Sequence, residues 1–174
     1  MLNKQLERSM QKLKRHDSSD FDIIYEATYK LVYYIIYGIL KNKSLADDIM
    51  QEVYIKVYQK IDQYQENTSP QAWIARIARN LALNEYKRKQ KETLMDTNTF
   101  DLIPEKTFDT PLIDLAVNIL SEEEYMIVMM CVVERYRRRE VAKILNLSTS
   151  GVTWKLNQAL NKLKKEVEVQ NENK

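Results

Sequence analysis

Apolar residues recur along this chain at spacings of three and four, the period of one helix face. Leu2, Leu6, Met10 and Leu13 mark a first helix over Met1–Arg15, which is otherwise basic and is expected to fray. From Asp20 to Leu40, Phe21, Ile24, Tyr25, Leu31, Ile35 and Ile39 dominate one side. Tyr33, Tyr34, Ile36 and Tyr37 make this segment apolar nearly all round, which predicts the central helix of a bundle. After a polar break at Lys41–Lys43, Ser44 is expected to cap a helix ending near Asp62. Asp47 and Asp48 then fall in its first turn, and Leu45, Ile49, Val53 and Val57 form its inner face. Gln63–Ser69 reads as a polar loop, and Pro70 suits the first turn of the next helix. That helix holds Trp73, Ile74, Ile77, Leu81 and Ala82 before turning basic.

Periodicity weakens from Glu92 to Asp114, where acids, threonines, Pro104 and Pro111 accumulate. This predicts an acidic, flexible linker at 92–114 between an N-terminal helical domain at 1–91 and a C-terminal domain at 115–174. Pro111–Leu120 starts a further helix. Ser121 with Glu124 three residues on is a capping box, opening a helix with Tyr125, Val128, Met129 and Val132 inward. The last segment, Arg138–Lys165, reads as a helix–turn–helix. Val141, Ala142, Ile144 and Leu145 give a short first helix its apolar face, Asn146 can end it in the left-handed conformation, and Ser148 caps the second. Val152, Leu156, Ala159 and Leu163 form the inner face of that second helix. At ~100° per residue, Ser150, Trp154, Asn157, Gln158, Asn161 and Lys165 lie opposite. Amides and hydroxyls first and lysines later suit a major groove, the former reading base edges and the latter meeting phosphate. A surface helix pair with a solvated basic face is the blander reading.

Composition narrows the class. Two glycines and three prolines in 174 residues leave little for hairpins or phosphate-cradling loops, so the expected fold is all-α. A net charge of +2 is uninformative, but its distribution is not. Between Gln71 and Lys91, Arg76, Arg79, Lys87, Arg88, Lys89 and Lys91 face a single acid, Glu85, with Asn80, Asn84 and Tyr86 interleaved. Cations mixed with amides and rings suit nucleic acid, including unstacked bases. Trp73 serves equally well as a core residue. The lone Cys131, in an apolar run, reads as a core residue of a cytoplasmic protein. One histidine, His16, and one cysteine make no zinc set, and no catalytic constellation, cofactor motif or membrane span is expected.

In order, LADDIMQEVYIKVYQKI, PQAWIARIARNLALNEYKRKQ, an acidic linker, LSEEEYMIVMMCVVERY and the helix–turn–helix resemble the extracytoplasmic-function sigma factors, initiation subunits of bacterial RNA polymerase. The resemblance covers roughly Phe21–Val167. It implies that Asp47, Asp48, Gln51 and Glu52, with Lys56 a turn further, bind core RNA polymerase. It implies that Trp73, Arg76, Arg79, Asn80, Arg88 and Lys89 engage the minus-ten element, and that the Gln65–Ser69 loop captures a flipped base. Ser148, Ser150, Thr153, Trp154, Lys155, Asn157 and Gln158 then read the minus-thirty-five element, with Lys162 and Lys165 on phosphate. The implied partners are core RNA polymerase, promoter DNA and an anti-sigma factor. Arg135 and Arg137 stand where members often carry a glycine and a serine, Trp154 where a small polar residue is common, and Gln158 and Leu160 where arginines are common. The rival from another class is a stand-alone helix–turn–helix regulator binding palindromic sites as a dimer. It leaves the acidic helix and the basic helix of the first domain without a purpose.

Overall fold

The computed structural model describes residues 2–66, 68–95 and 111–172. Every regular element among them is helical, as the scarcity of glycine and the 3.6-residue period require. Met1–Pro104 and Glu105–Lys174 form two compact units. Residues 96–110, most of the expected linker, lie outside the described residues; its first residues, through Met95, continue a helix and its last, from Pro111, begin one.

The first unit comprises α1 (Leu2–Lys14), α2 (Phe21–Leu40), α3 (Lys43–Gln59) and α4 (Pro70–Met95). Helix α2 packs against the other three, the central position its near-continuous apolar surface predicts. Ile24, Val32 and Ile36 of α2, Val53 and Val57 of α3, and Ile74, Ala78 and Ala82 of α4 are all sealed from solvent where these helices pack. The expected fraying of α1 is not observed. Leu6, Met10 and Leu13 are fully buried, each worth roughly 1.5–3 kcal/mol. Lys14 Nζ also donates to the Tyr64 carbonyl at 2.7 Å, and Lys12 pairs with Asp20 at 2.9 Å. Buried Thr28 donates to the Ile24 carbonyl at 2.7 Å and lies 3.0 Å from the Tyr54 hydroxyl, tying α2 to α3.

The start of α3 corrects the expected cap. Lys41 takes the left-handed conformation (φ 51°) and ends α2 abruptly, so α3 begins early. Asn42, not Ser44, is the N-cap, its side-chain carbonyl accepting from the Leu45 N–H at 3.0 Å. Asp47 and Asp48 therefore sit beyond the first turn, which holds no acid.

The second unit comprises α5 (Pro111–Ile119), α6 (Glu122–Val128), α7 (Arg138–Leu145) and α8 (Thr149–Glu172), with α5, α6 and α7 each packed on α8. The Ser121–Glu124 capping box is present. Tyr125, Val128 and Met129 are buried as expected, but Val132 is exposed. A π turn at Met129–Val133 is the reason. Its wider turn rephases the helix, so Met130 enters the core and Val132 and Val133 leave it. Cys131 is half-buried rather than core, and that burial pushes its thiol pKa up.

Candidate protein and nucleic-acid interfaces

The inner face of α3 (Ala46, Ile49, Val53, Tyr54, Val57) is buried, which turns Asp47, Asp48 and Gln51 outward. Glu52 is half-buried on the flank of this exposed face. Lys56 is also half-buried and donates to Gln59 Oε1 at 3.2 Å, nearly half a turn from Asp47. Because Asp47 and Asp48 lie beyond the first turn, compensating the helix dipole does not account for them. Two residues absent from the sequence reading stand among them: Ile55 is 54% exposed and Tyr58 53%. Both break the spacing of the inner face, and that was the available signal. A face with apolar groups between carboxylates and an amide has the make-up of a protein interface centre, with charge at its edge to orient a basic partner.

On α4, Ser69 caps the helix through its hydroxyl, which accepts from the Ala72 N–H at 3.2 Å. The preceding loop is anchored on buried Tyr64. The Tyr64 hydroxyl donates to the Thr68 carbonyl at 3.1 Å, and Thr68 Oγ1 donates to the Gln65 carbonyl at 2.6 Å. Within the expected base-capturing loop, Asn67 lies outside the described residues. Trp73 is half-buried, edge-on to Tyr64 with ring centroids 5.6 Å apart, so it supports the loop from below while keeping part of its ring in solvent. Ile74, Ala75, Ala78 and Ala82 face the core. The opposite side, at ~100° per residue, carries Trp73, Arg76, Asn80, Asn84, Lys87 and Lys91, with Arg79 at its edge. Asn84, Lys87 and Lys91 thus extend the line that Trp73, Arg76 and Asn80 begin. Arg88 lies at the other edge, ~40° from Asn84, and Lys89 falls on the core side. Arg88 pairs with Glu85 and Glu92, each at 2.6 Å, and Lys89 reaches Glu92 at 3.5 Å. The hydrogen bond from Arg88 holds the Glu85 carboxyl below the usual carboxylate range.

In the second unit, α7 ends at Asn146, left-handed with φ 56°, as its residue type suggests. The Ser148 hydroxyl accepts from the Gly151 N–H at 3.0 Å, capping α8. Val152, Leu156 and Ala159 are buried, and Ser150, Trp154, Asn157, Gln158, Asn161 and Lys165 are exposed together on the far side. Thr153 is half-buried beside them and donates to the Thr149 carbonyl at 3.0 Å. Lys155 and Lys162 do not join this face. Lys155 pairs with Glu123, and Lys162 donates to both oxygens of Glu124 at 2.7 and 2.9 Å. Arg135, Arg137, Arg138, Arg139 and Lys143 are exposed on the preceding turn and α7, a cationic group the sequence reading did not assign to DNA.

The first unit thus presents an acidic-apolar outer face and a basic helix, and the second a polar helix after a tight turn. The first is assigned directly: residues 24–92 match the Sigma-70 region 2 family, so the chain carries a Sigma-70 region 2 domain. Nearly its whole length is similar to the ECF RNA polymerase sigma factor SigX of Bacillus subtilis, 26% identical over 163 residues, 86% of this chain and 84% of SigX. SigW of the same organism is 32% identical over 75 residues, 43% of this chain and 36% of SigW. Two solved structures share the fold. The sigma factor RpoE, in complex with the anti-sigma factor NepR from Bartonella quintana, has a TM-score of 0.62 at 17% identity, covering 85% of this chain and 98% of RpoE. CnrH, in complex with the cytosolic domain of CnrY, has a TM-score of 0.70 at 13% identity, covering 95% of this chain and 98% of CnrH.

Proposed function

We infer that this chain is a sigma factor that binds core RNA polymerase and directs promoter recognition and transcription initiation. The observation that carries the inference is the outward face of α3, where Asp47, Asp48 and Gln51 surround exposed Ile55 inside the Sigma-70 region 2 match. This face docks the polymerase: Ile55 and Tyr58 form the desolvated centre, and the carboxylates meet cations of the partner. Trp73, Arg76, Asn80, Asn84 and Lys87 on α4, with the Gln65–Ser69 loop, engage the minus-ten element. The exposed face of α8 reads the minus-thirty-five element as duplex, with phosphate held from α7 and the turn before it. The chain acts in the cytoplasm as a non-catalytic subunit, and a protein inhibitor of the kind bound to RpoE is its expected regulator.

Co-purification with core polymerase tests the docking face. Truncating or reversing a charged contact in a desolvated interface costs roughly 2–5 kcal/mol. Asp48→Arg with Glu52→Arg is expected to abolish co-purification while thermal melting changes little, since Asp48 is exposed and Glu52 lies at the edge of the face. Undiminished co-purification removes α3 from the interface.

A further inference from the structure

The exposed face of α8 has an indole at its centre. Trp154 is 62% exposed, surrounded along the face by Ser150, Asn157, Gln158 and Asn161, none of them charged. The lysines that could have flanked it, Lys155 and Lys162, are held by Glu123 and Glu124 of the same unit. Exposed cations stand instead at Arg135, Arg137, Arg138 and Arg139, ahead of or within the first turn of α7. The helix preceding a recognition helix crosses the DNA backbone, so these cations suit phosphate and leave the centre of α8 neutral.

That division has a consequence for sequence choice. Guanine is most often selected by an arginine or lysine reaching O6 and N7; adenine is read by amides; the thymine C5 methyl is met by apolar groups. The middle of this face offers amides and an indole but no cation. Asn157 and Gln158 lie about 4.5 and 6 Å along the helix axis from Trp154, between one and two of the ~3.4 Å steps separating base pairs, so indole and amides address pairs one or two steps apart.

We propose that Trp154 is a specificity-determining residue that packs on thymine methyl groups in the major groove, so that the upstream promoter element chosen by this chain is rich in A·T pairs. The proposal rests on the reading of α8 as the DNA-facing helix. The test uses holoenzyme assembled from core polymerase and the full chain. From templates randomised in the upstream element, A·T pairs are expected to be enriched. Uracil, which lacks the methyl group, is then placed for thymine in that element alone. Closed-complex affinity of the unmodified chain is expected to fall about four-fold per contacted methyl. Trp154→Ala should bind the thymine template about as weakly and lose nothing further with uracil, while Trp154→Phe should retain much of the thymine preference. Selection of G·C-rich elements, or an equal uracil penalty in Trp154→Ala, overturns the proposal. So does a Trp154→Ala variant that binds core polymerase less well with unchanged promoter choice, which would make the indole a protein contact. If Asn157→Ala with Gln158→Ala also leaves promoter choice unchanged, the reading of α8 itself fails. If that pair alters choice while the thymine response of Trp154→Ala matches the unmodified chain, only the proposal fails.

Discussion

Arg135 adopts φ 55°, in the left-handed region where a side chain costs ~1–2 kcal/mol and glycine costs little. Arg135→Gly is therefore expected to raise stability by about 0.5–1 kcal/mol, the gain trimmed by the extra freedom of glycine in the unfolded chain. Thermal melting should show a rise of a few degrees; a fall would mean that the guanidinium stabilises the turn. Glu124 gives a pH dependence. The hydrogen bond from Lys162, followed by those from the Ser121 N–H and hydroxyl, holds its carboxyl below the usual range. A depressed folded pKa contributes stability that is present above the unfolded value near ~4.3 and is lost as pH falls through the folded one. Glu124→Gln should lower the melting temperature at pH 7 and flatten its decline on acidification; an unchanged acid profile would deny the pair any linkage. Much at this scale was legible beforehand. Asn146, Ser148 and the Ser121–Glu124 box act as their residue types suggest, because caps are local chemistry. Asn42 was missed because the left-handed Lys41 that brings α3 forward has no residue-type signature.

At the scale of elements, period finds the buried face and says less about the other one. The inner face of α3 was legible, yet Ile55 and Tyr58 drew no notice, since an apolar residue off register reads as noise until its exposure is known. Ile55→Ser with Tyr58→Ser is expected to weaken core-polymerase binding by roughly 2 kcal/mol or more, with melting lowered only by loss of the edge-on Tyr58–Phe21 ring contact, roughly 0.5–1.5 kcal/mol. Titration calorimetry or competition binding checks it, and unaltered affinity would reduce these two residues to incidental exposure. On α4, counting cations grouped Arg88 and Lys89 with Arg76. Helical phase separates Lys89, and the acids at Glu85 and Glu92 occupy Arg88. Lys87→Ala should therefore lower the salt dependence of promoter binding by about one unit, and Arg88→Ala by less. Equal slopes would return Arg88 to the phosphate contacts. The π turn after α6 was beyond reach, because Met, Cys and Val suit either phase.

At the scale of the whole molecule, function was legible from the order of segments more than from any single one. A polar helix after a tight turn fits many DNA-binding proteins. An acidic-apolar helix and a basic helix ahead of it, with an acidic stretch between the two units, fit few. The similarity to SigX spans both units, which the dimeric-regulator reading does not explain. Run-off transcription with purified core polymerase separates the two most directly. Adding the full chain should produce transcripts with discrete starts from promoter-bearing fragments, and Asp48→Arg with Glu52→Arg should produce none. No transcript at any chain concentration, together with tight polymerase-independent binding of a homodimer to a palindromic site, would contradict the sigma-factor assignment.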